Sequence, residues 1–160
     1  MDIKKNVLIT GGLGYIGAHV VNLLLKNNYR VTVVDKIMFG SSSLLSFLGS
    51  DNFEFFNFDI RENEKLEKLF KDKNFSAVIH LAALVGEAAC KRNEDESKSI
   101  NFDATISLAE KSKMFGIQNF IFMSTASSYG VQDINEIADE NTKLNPVSLY
   151  AITKINSEKE

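Results

Sequence analysis

Short apolar runs alternate along this chain with longer stretches of helical period. Val7–Thr10, Arg30–Val34, Phe53–Phe58, Ala77–His80 and Phe120–Met123 have strand length and are rich in β-branched and aromatic residues. The first helical stretch runs from Tyr15 to about Lys26. The second, Glu62–Lys71, carries Leu66, Leu69 and Phe70 on one side, and the third, about Glu94–Phe115, carries Ile100, Ala104, Leu108 and Phe115. The third is well marked at both ends. Asn93 and Glu96 stand at capping-box-like spacing, the acids Glu94, Asp95 and Glu96 favour the positive helix end, and Gly116 can close the far end. A fourth helix is predicted from near Ser148, and Gly40-Ser41-Ser42-Ser43 reads as a flexible loop. The strands lack polar alternation and so are buried on both faces, and this βαβαβ repetition predicts an α/β fold with a doubly wound parallel sheet of five strands.

Composition narrows the class. With 160 residues, 44% hydrophobic and 24% charged, the chain has the makeup of one soluble domain with its own core and no room for a second complete one. The net charge is −3 and no stretch is strongly basic, so no nucleic-acid or anionic-membrane partner is expected. Cys90 is the single cysteine, which excludes an internal disulfide and suits a reducing compartment. The N-terminus leads directly into a strand without a signal-peptide core, and no apolar run reaches membrane-spanning length. A cytoplasmic location is expected, and no metal.

The turn after the first strand carries the first chemical signal. Glycines at 11, 12, 14 and 17 satisfy both Gly-x-x-Gly-x-x-Gly and Gly-x-Gly-x-x-Gly spacing, which lets backbone approach a pyrophosphate and aims helix N–H groups at it. Gly11, Gly14, Tyr15, Ile16 and Gly17 are therefore candidate cofactor-binding residues. Asp35 ends the second strand about 20 residues further on, where a carboxylate accepts from ribose hydroxyls and repels a 2′-phosphate; NAD is favoured over NADP, with the adjacent Lys36 pulling the other way. Asp59, in Asp59-Ile60-Arg61-Glu62, reads as an N-cap for the next helix with Glu62 completing a box, and its position at a strand's carboxyl end also allows a ligand role.

The second signal lies near the other end. Tyr150 and Lys154 are four residues apart and share one helix face. At about 5 Å and an effective dielectric of about 20, the ammonium is worth roughly 3 kcal/mol, enough to lower the phenol by about two pKa units and make Tyr150 a usable general base. Ser124, Thr125, Ser127 and Ser128 alone read as a polar loop after a strand. Beside Tyr150 and Lys154 they add a hydroxyl to a phenol and a cation.

In this order, Thr10-Gly-Gly-Leu-Gly-Tyr-Ile-Gly17, Asp35, Asp59-Ile60-Arg61, His80-Leu-Ala-Ala83, Asn101, Ser124-Thr-Ala-Ser-Ser-Tyr-Gly130 and Tyr150-Ala-Ile-Thr-Lys154 resemble the extended short-chain dehydrogenase/reductase family, in its nucleotide-sugar epimerase and dehydratase branch. The resemblance spans nearly the whole chain and implies a Rossmann fold over residues 1–160 with strand order 3-2-1-4-5. It also implies that Asp59 and Ile60 border the adenine, that Leu81, Ala82 and Ala83 line the ribose and nicotinamide side, and that Ser124 touches the nicotinamide environment. Asn101 is implied to support the active-site hydrogen-bond network, against the alternative of an ordinary helical asparagine. Thr125, Tyr150 and Lys154 correspond to the family's catalytic set. Tyr150 and Lys154 also serve the cofactor. His80 and Cys90 read better as packed structural residues than as a ligand and a nucleophile.

The implied activity is NAD-dependent epimerisation of a nucleotide-linked sugar through a transient ketone, with hydride passing to NAD and a proton to Tyr150. Three alternatives stand beside it. A 4,6-dehydratase resembles this scaffold but has Asp-Glu directly after its catalytic Thr, where this chain has Ala126-Ser127. A reductase or dehydrogenase shares every motif. A non-catalytic dinucleotide-binding regulator has no need of Thr125, Tyr150 and Lys154. Relatives continue for roughly another domain's length, so the chain is expected to stop short of the last strands and of a C-terminal substrate-binding region, with a homodimer expected of the full-length form.

Overall fold

The computed structural model describes residues 5–132 and 137–160. Five parallel strands, β1 (Asn6–Thr10), β2 (Arg30–Asp35), β3 (Phe53–Asn57), β4 (Ala77–His80) and β5 (Asn119–Phe122), form one sheet in the order β3-β2-β1-β4-β5. This is the expected doubly wound Rossmann arrangement. The strands fall within a residue of their predicted limits because β-branched and aromatic runs fix strand position, although β3 and the edge strand β5 are only partly covered. Leu8, Ile9, Val31, Val33, Val34 and Val78 are completely buried, each contributing roughly 1.5–3 kcal/mol of burial. Among the described residues no helix is long and apolar enough to cross a membrane.

The described chain forms two compact units, one of residues up to Ala83 plus Ser107–Met123 and one of Leu84–Ile106 plus Ser124–Glu160. The first holds the sheet with helices α1 (Tyr15–Lys26) and α2 (Asn63–Asp72). Val21 of α1 and Leu66, Leu69 and Phe70 of α2 supply the buried faces. The segment Gly40–Ser43, expected as a flexible loop, runs into a 3-10 turn over Ser42–Ser46, and Ser43 Oγ donates to Leu13 O at 3.0 Å.

The single helix predicted over 94–115 is three consecutive segments: α4 (Glu94–Lys98), a π-helical stretch (Ser99–Asp103) and α5 (Ala104–Met114). Its ends follow the sequence signals. Asn93 Oδ1 accepts from Glu96 N at 3.1 Å, and Gly116 adopts φ 73° so that Ile117 N reaches Ser112 O at 2.8 Å. A short helix, α3 (Glu87–Arg92), precedes α4 and was not predicted. Helix α6 (Leu149–Lys159) starts where expected, with Ser148 Oγ accepting from Ala151 N at 3.2 Å.

Candidate active site

In the sheet-bearing unit, Thr10 and His80 are register partners at the carboxyl ends of β1 and β4, the point from which the chain leaves the sheet on either side of a strand-order reversal. Gly11 has φ 71°, and a Cβ there would lie 2.6 Å from Ala82 N. At Gly17 a Cβ would run into Gly11 O and Gly12 Cα. The two glycines are thus required by close packing of backbone on backbone, which leaves a thin cradle. Gly14 gives α1 no side-chain cap, so first-turn N–H groups such as those of Tyr15 and Ile16 remain for an anionic oxygen. Tyr15 and Ile16 are themselves exposed.

Asp35 ends β2 with both oxygens oriented by backbone: Oδ2 accepts from Leu13 N at 3.0 Å and Oδ1 from Ile37 N at 2.8 Å. One bond to each oxygen leaves lone pairs for ribose hydroxyls. Asp59 is arranged differently from the N-cap reading. Helix α2 begins at Asn63, and the Asp59 carboxylate caps Arg61 N at 3.0 Å instead of a helical N–H. Half of the capping box does form, since Glu62 Oε1 accepts from Asp59 N at 2.9 Å. The carboxylate further accepts from Arg61 Nε (3.0 Å), Arg61 Nη2 (2.7 Å) and Lys36 Nζ (3.0 Å). With these four donors each carboxylate oxygen accepts two hydrogen bonds. Burial pushes the Asp59 carboxyl up, but the bonds from Arg61 and Lys36 outweigh it and hold the group well below the usual carboxylate range.

His80 is fully buried, stacked on Phe122 at 5.9 Å. Its Nδ1 lies 2.6 Å from Thr10 Oγ1, which also accepts from Ala82 N at 3.4 Å. The packed-histidine reading therefore holds, with an addition that sequence reasoning missed: through Thr10 it fixes the Leu81–Ala83 loop against the glycine turn. A hydroxyl at the last strand position before Gly11 was the available signal.

The second unit holds the other candidates. Asn101, expected among the cofactor-contacting residues, is completely buried in the π-helical stretch. Its Oδ1 accepts from Leu84 N at 2.8 Å and its Nδ2 donates to Leu84 O at 2.9 Å. These two hydrogen bonds to one residue's backbone make the Asn101 amide a positioning group for the chain after β4. The π turn also turns Asn101 O outward from the regular ladder, where it accepts from Thr105 Oγ1 at 2.9 Å and Ser157 Oγ at 3.1 Å. Cys90 is buried and donates to Leu84 O at 3.4 Å, which suits a structural thiol.

Thr125 Oγ1 accepts from Ser127 N at 3.2 Å, which aims the hydroxyl and leaves its proton to donate. Ser124 Oγ is buried with no hydrogen-bond partner among the described residues. A buried orphan hydroxyl beside Thr125 is what a polar group of a ligand would satisfy; in the sheet-bearing unit the uncapped α1 and the thin glycine cradle fit the pyrophosphate of a dinucleotide. The turn is held from behind: Ser128 O accepts from Asn145 N at 3.0 Å, and Gly130, at φ 67°, has no room for a Cβ because of Asn145 O. Gly130→Ala is therefore expected to destabilise the protein by about 1–3 kcal/mol, through strained φ and displaced backbone. Urea unfolding of the two forms measures this.

Tyr150 and Lys154 share a face of α6, with Lys154 Nζ 5.9 Å from the phenol ring centroid. No described residue hydrogen-bonds the phenol oxygen. The expected lowering of Tyr150 by Lys154 is not what this structure shows. Burial pushes the phenol up, with Cys90 adding to the rise, and burial brings Lys154 down to about 8 against an opposing pull from Glu158. The physical reason is that helix spacing alone leaves out desolvation, which disfavours phenolate and ammonium alike.

The family model described as NAD dependent epimerase/dehydratase matches residues 7–160. The chain belongs to this family. It is 33% identical over 159 residues to the bifunctional UDP-glucose 4-epimerase and UDP-xylose 4-epimerase 1 of Pisum sativum, covering 95% of this chain and 45% of that one. Among solved structures it resembles the UDP-glucose 4-epimerase of Thermotoga maritima with UDP-glucose (34% identity, TM-score 0.88, covering 96% of this chain and 49% of that one). It resembles equally the UDP-glucose 4-epimerase of Thermus thermophilus in complex with NAD (29% identity, TM-score 0.88, the same coverage). The chain thus spans about half the length of these relatives. The cofactor in the family's description is the one that Asp35 and the glycine turn indicate.

Proposed function

We propose that residues 1–160 are the dinucleotide-binding and proton-transfer portion of an NAD-dependent epimerase that inverts one carbinol of a nucleotide-linked sugar. The observation that carries this reading is the composition of the second unit: a hydroxyl at Thr125, a phenol at Tyr150 and a buried cation at Lys154, with Ala126 and Ser127 following Thr125 where elimination of water calls for an acid and a base. The relatives named for UDP-glucose support a UDP-hexose as substrate class.

NAD, when bound, supplies the hydride acceptor and a fixed positive charge. Tyr150 takes the hydroxyl proton as the carbon's hydrogen departs with its electron pair, leaving a ketone on the sugar. Tyr150 would give the proton back to the ketone oxygen as hydride is restored to the opposite face, so that the epimer would form without net redox change. Thr125 donates to the reacting oxygen. Lys154 offsets the phenolate charge, and because burial raises Tyr150, ionisation depends on positive charge around it. Ser124 completes the polar wall, while Asp35 receives the ribose and Asn101 fixes Leu84. The sugar is held by a C-terminal region of the kind relatives carry, in a cytoplasmic homodimer.

The test uses a version extended by such a region, incubated with NAD and a panel of nucleotide sugars while product mass, stereochemistry and NADH are followed. A new stereoisomer of unchanged mass with no accumulating NADH is expected. Loss of one water establishes a dehydratase instead, and stoichiometric NADH a dehydrogenase.

A further inference from the structure

At the carboxyl ends of β2 and β3 two carboxylates and two cations alternate: Asp35, Lys36, Asp59 and Arg61. We propose that Asp59 is a specificity-determining residue that enforces the preference for NAD by holding the Lys36 ammonium away from the ribose 2′ position. The proposal rests on the NAD reading above and names the device that protects it.

The geometry is specific. Lys36 follows directly on Asp35, so a long, flexible ammonium stem is tethered one residue from the carboxylate assigned to the ribose. A phosphate there brings nearly two negative charges and strong acceptor oxygens, and a neighbouring cation is what accommodates it. In this structure the ammonium is instead 3.0 Å from Asp59 Oδ2, across the end of the β2–β3 pair, with both side chains mostly shielded. The turn between is set. Ile37 adopts φ 57°, a left-handed conformation that a β-branched residue avoids, and this turns Ile37 N onto Asp35 Oδ1. Asp59 is equally fixed, its backbone N bonded to Glu62 and its carboxylate gripped by both Arg61 side-chain nitrogens. The result is a rigid anion that competes with any phosphate for Lys36. Since Asp59 stays ionised far into acid, the competition persists throughout the physiological range.

Removing the Asp59 charge should therefore change discrimination between cofactors more than affinity for either alone. NAD and NADP dissociation constants are measured by calorimetric titration on the 160-residue chain and its variants. Asp59→Asn is expected to raise NADP affinity relative to NAD by about twofold to fivefold, the worth of one partly shielded ion pair. Adding Lys36→Met in that background is expected to return the ratio to its original value. Taking the ratio cancels any loss common to both cofactors through a disturbed adenine contact. An unchanged ratio in Asp59→Asn overturns the proposal, as does a shift that survives loss of Lys36. Should Asp59→Asn not fold, the Asp35→Asn chain decides: with Asp59 still gripping Lys36, adding Lys36→Met leaves NADP affinity unchanged, and a clear loss of it overturns the proposal. A parent chain that binds neither dinucleotide, or prefers NADP, refutes the NAD reading itself and is seen before any variant is compared.

Discussion

Replacing Tyr150 by Phe is expected to lower turnover of the extended enzyme by about 10²- to 10⁴-fold, the range for loss of a positioned general acid–base group, while NAD affinity changes by no more than a few-fold. The phenol oxygen has no hydrogen-bond partner among the described residues, so the substitution breaks no bond and leaves the ring against Lys154. What disappears is the group proposed to exchange a proton with the substrate hydroxyl. Because burial raises Tyr150 in the ligand-free chain, the active ionised form is a minority at neutral pH. In the parent enzyme the rate is therefore expected to climb with pH until Tyr150 ionises, and the residual rate of the Phe variant to show no such climb. Steady-state kinetics across pH, with NAD titrations alongside, separate this outcome from a general loss of binding. A Phe variant that keeps most of its turnover removes Tyr150 from the mechanism.

The sheet and the glycine turn were legible in the sequence because each rests on a local rule that tertiary packing reinforces. Apolar runs rich in β-branched residues place β1, β2 and β4. Gly11 and Gly17 stand where nothing larger fits against Ala82 and Gly12, the close backbone approach that their spacing predicts. The less legible features depend on contacts between residues distant in sequence. Nothing in Glu87-Ala-Ala-Cys-Lys-Arg92 marks a helix, since it is too short to show a period. The π turn at Ser99–Asp103 is invisible to any 3.6-residue pattern, yet it sets Asn101 against Leu84 and so decides that this side chain positions backbone. Asp59 looked like an ordinary cap because its neighbour Arg61 was read only as part of a motif, and its pairing with Lys36 crosses from one strand end to the next. The sign of the Tyr150 shift needed burial, which spacing does not contain.

Burial has a further consequence at Lys154. Its side chain is only 2% exposed, and desolvation brings its pKa from 10.5 down to about 8. In the unfolded chain the amine holds its proton up to about 10.5, so between the two values the unfolded state binds more protons and folding becomes more favourable as pH rises. Below about 8 both states are charged and the full destabilisation is present, on the order of 3 kcal/mol. Tyr150 acts oppositely, but only above about 10, where its unfolded form ionises first. Lys154→Met keeps the length of the stem and removes the buried charge. It is expected to abolish activity while raising the melting temperature at pH 7 by about 3–6 °C, the shift that 1–2 kcal/mol produces in a domain of this size. The parent protein should gain stability from pH 8 to 10, whereas the Met variant should stay level over that window. Calorimetric melts at several pH values test both statements. A Met variant that melts lower at pH 7 shows that interactions of the ammonium outweigh its desolvation, and that Lys154 serves the fold as well as the chemistry.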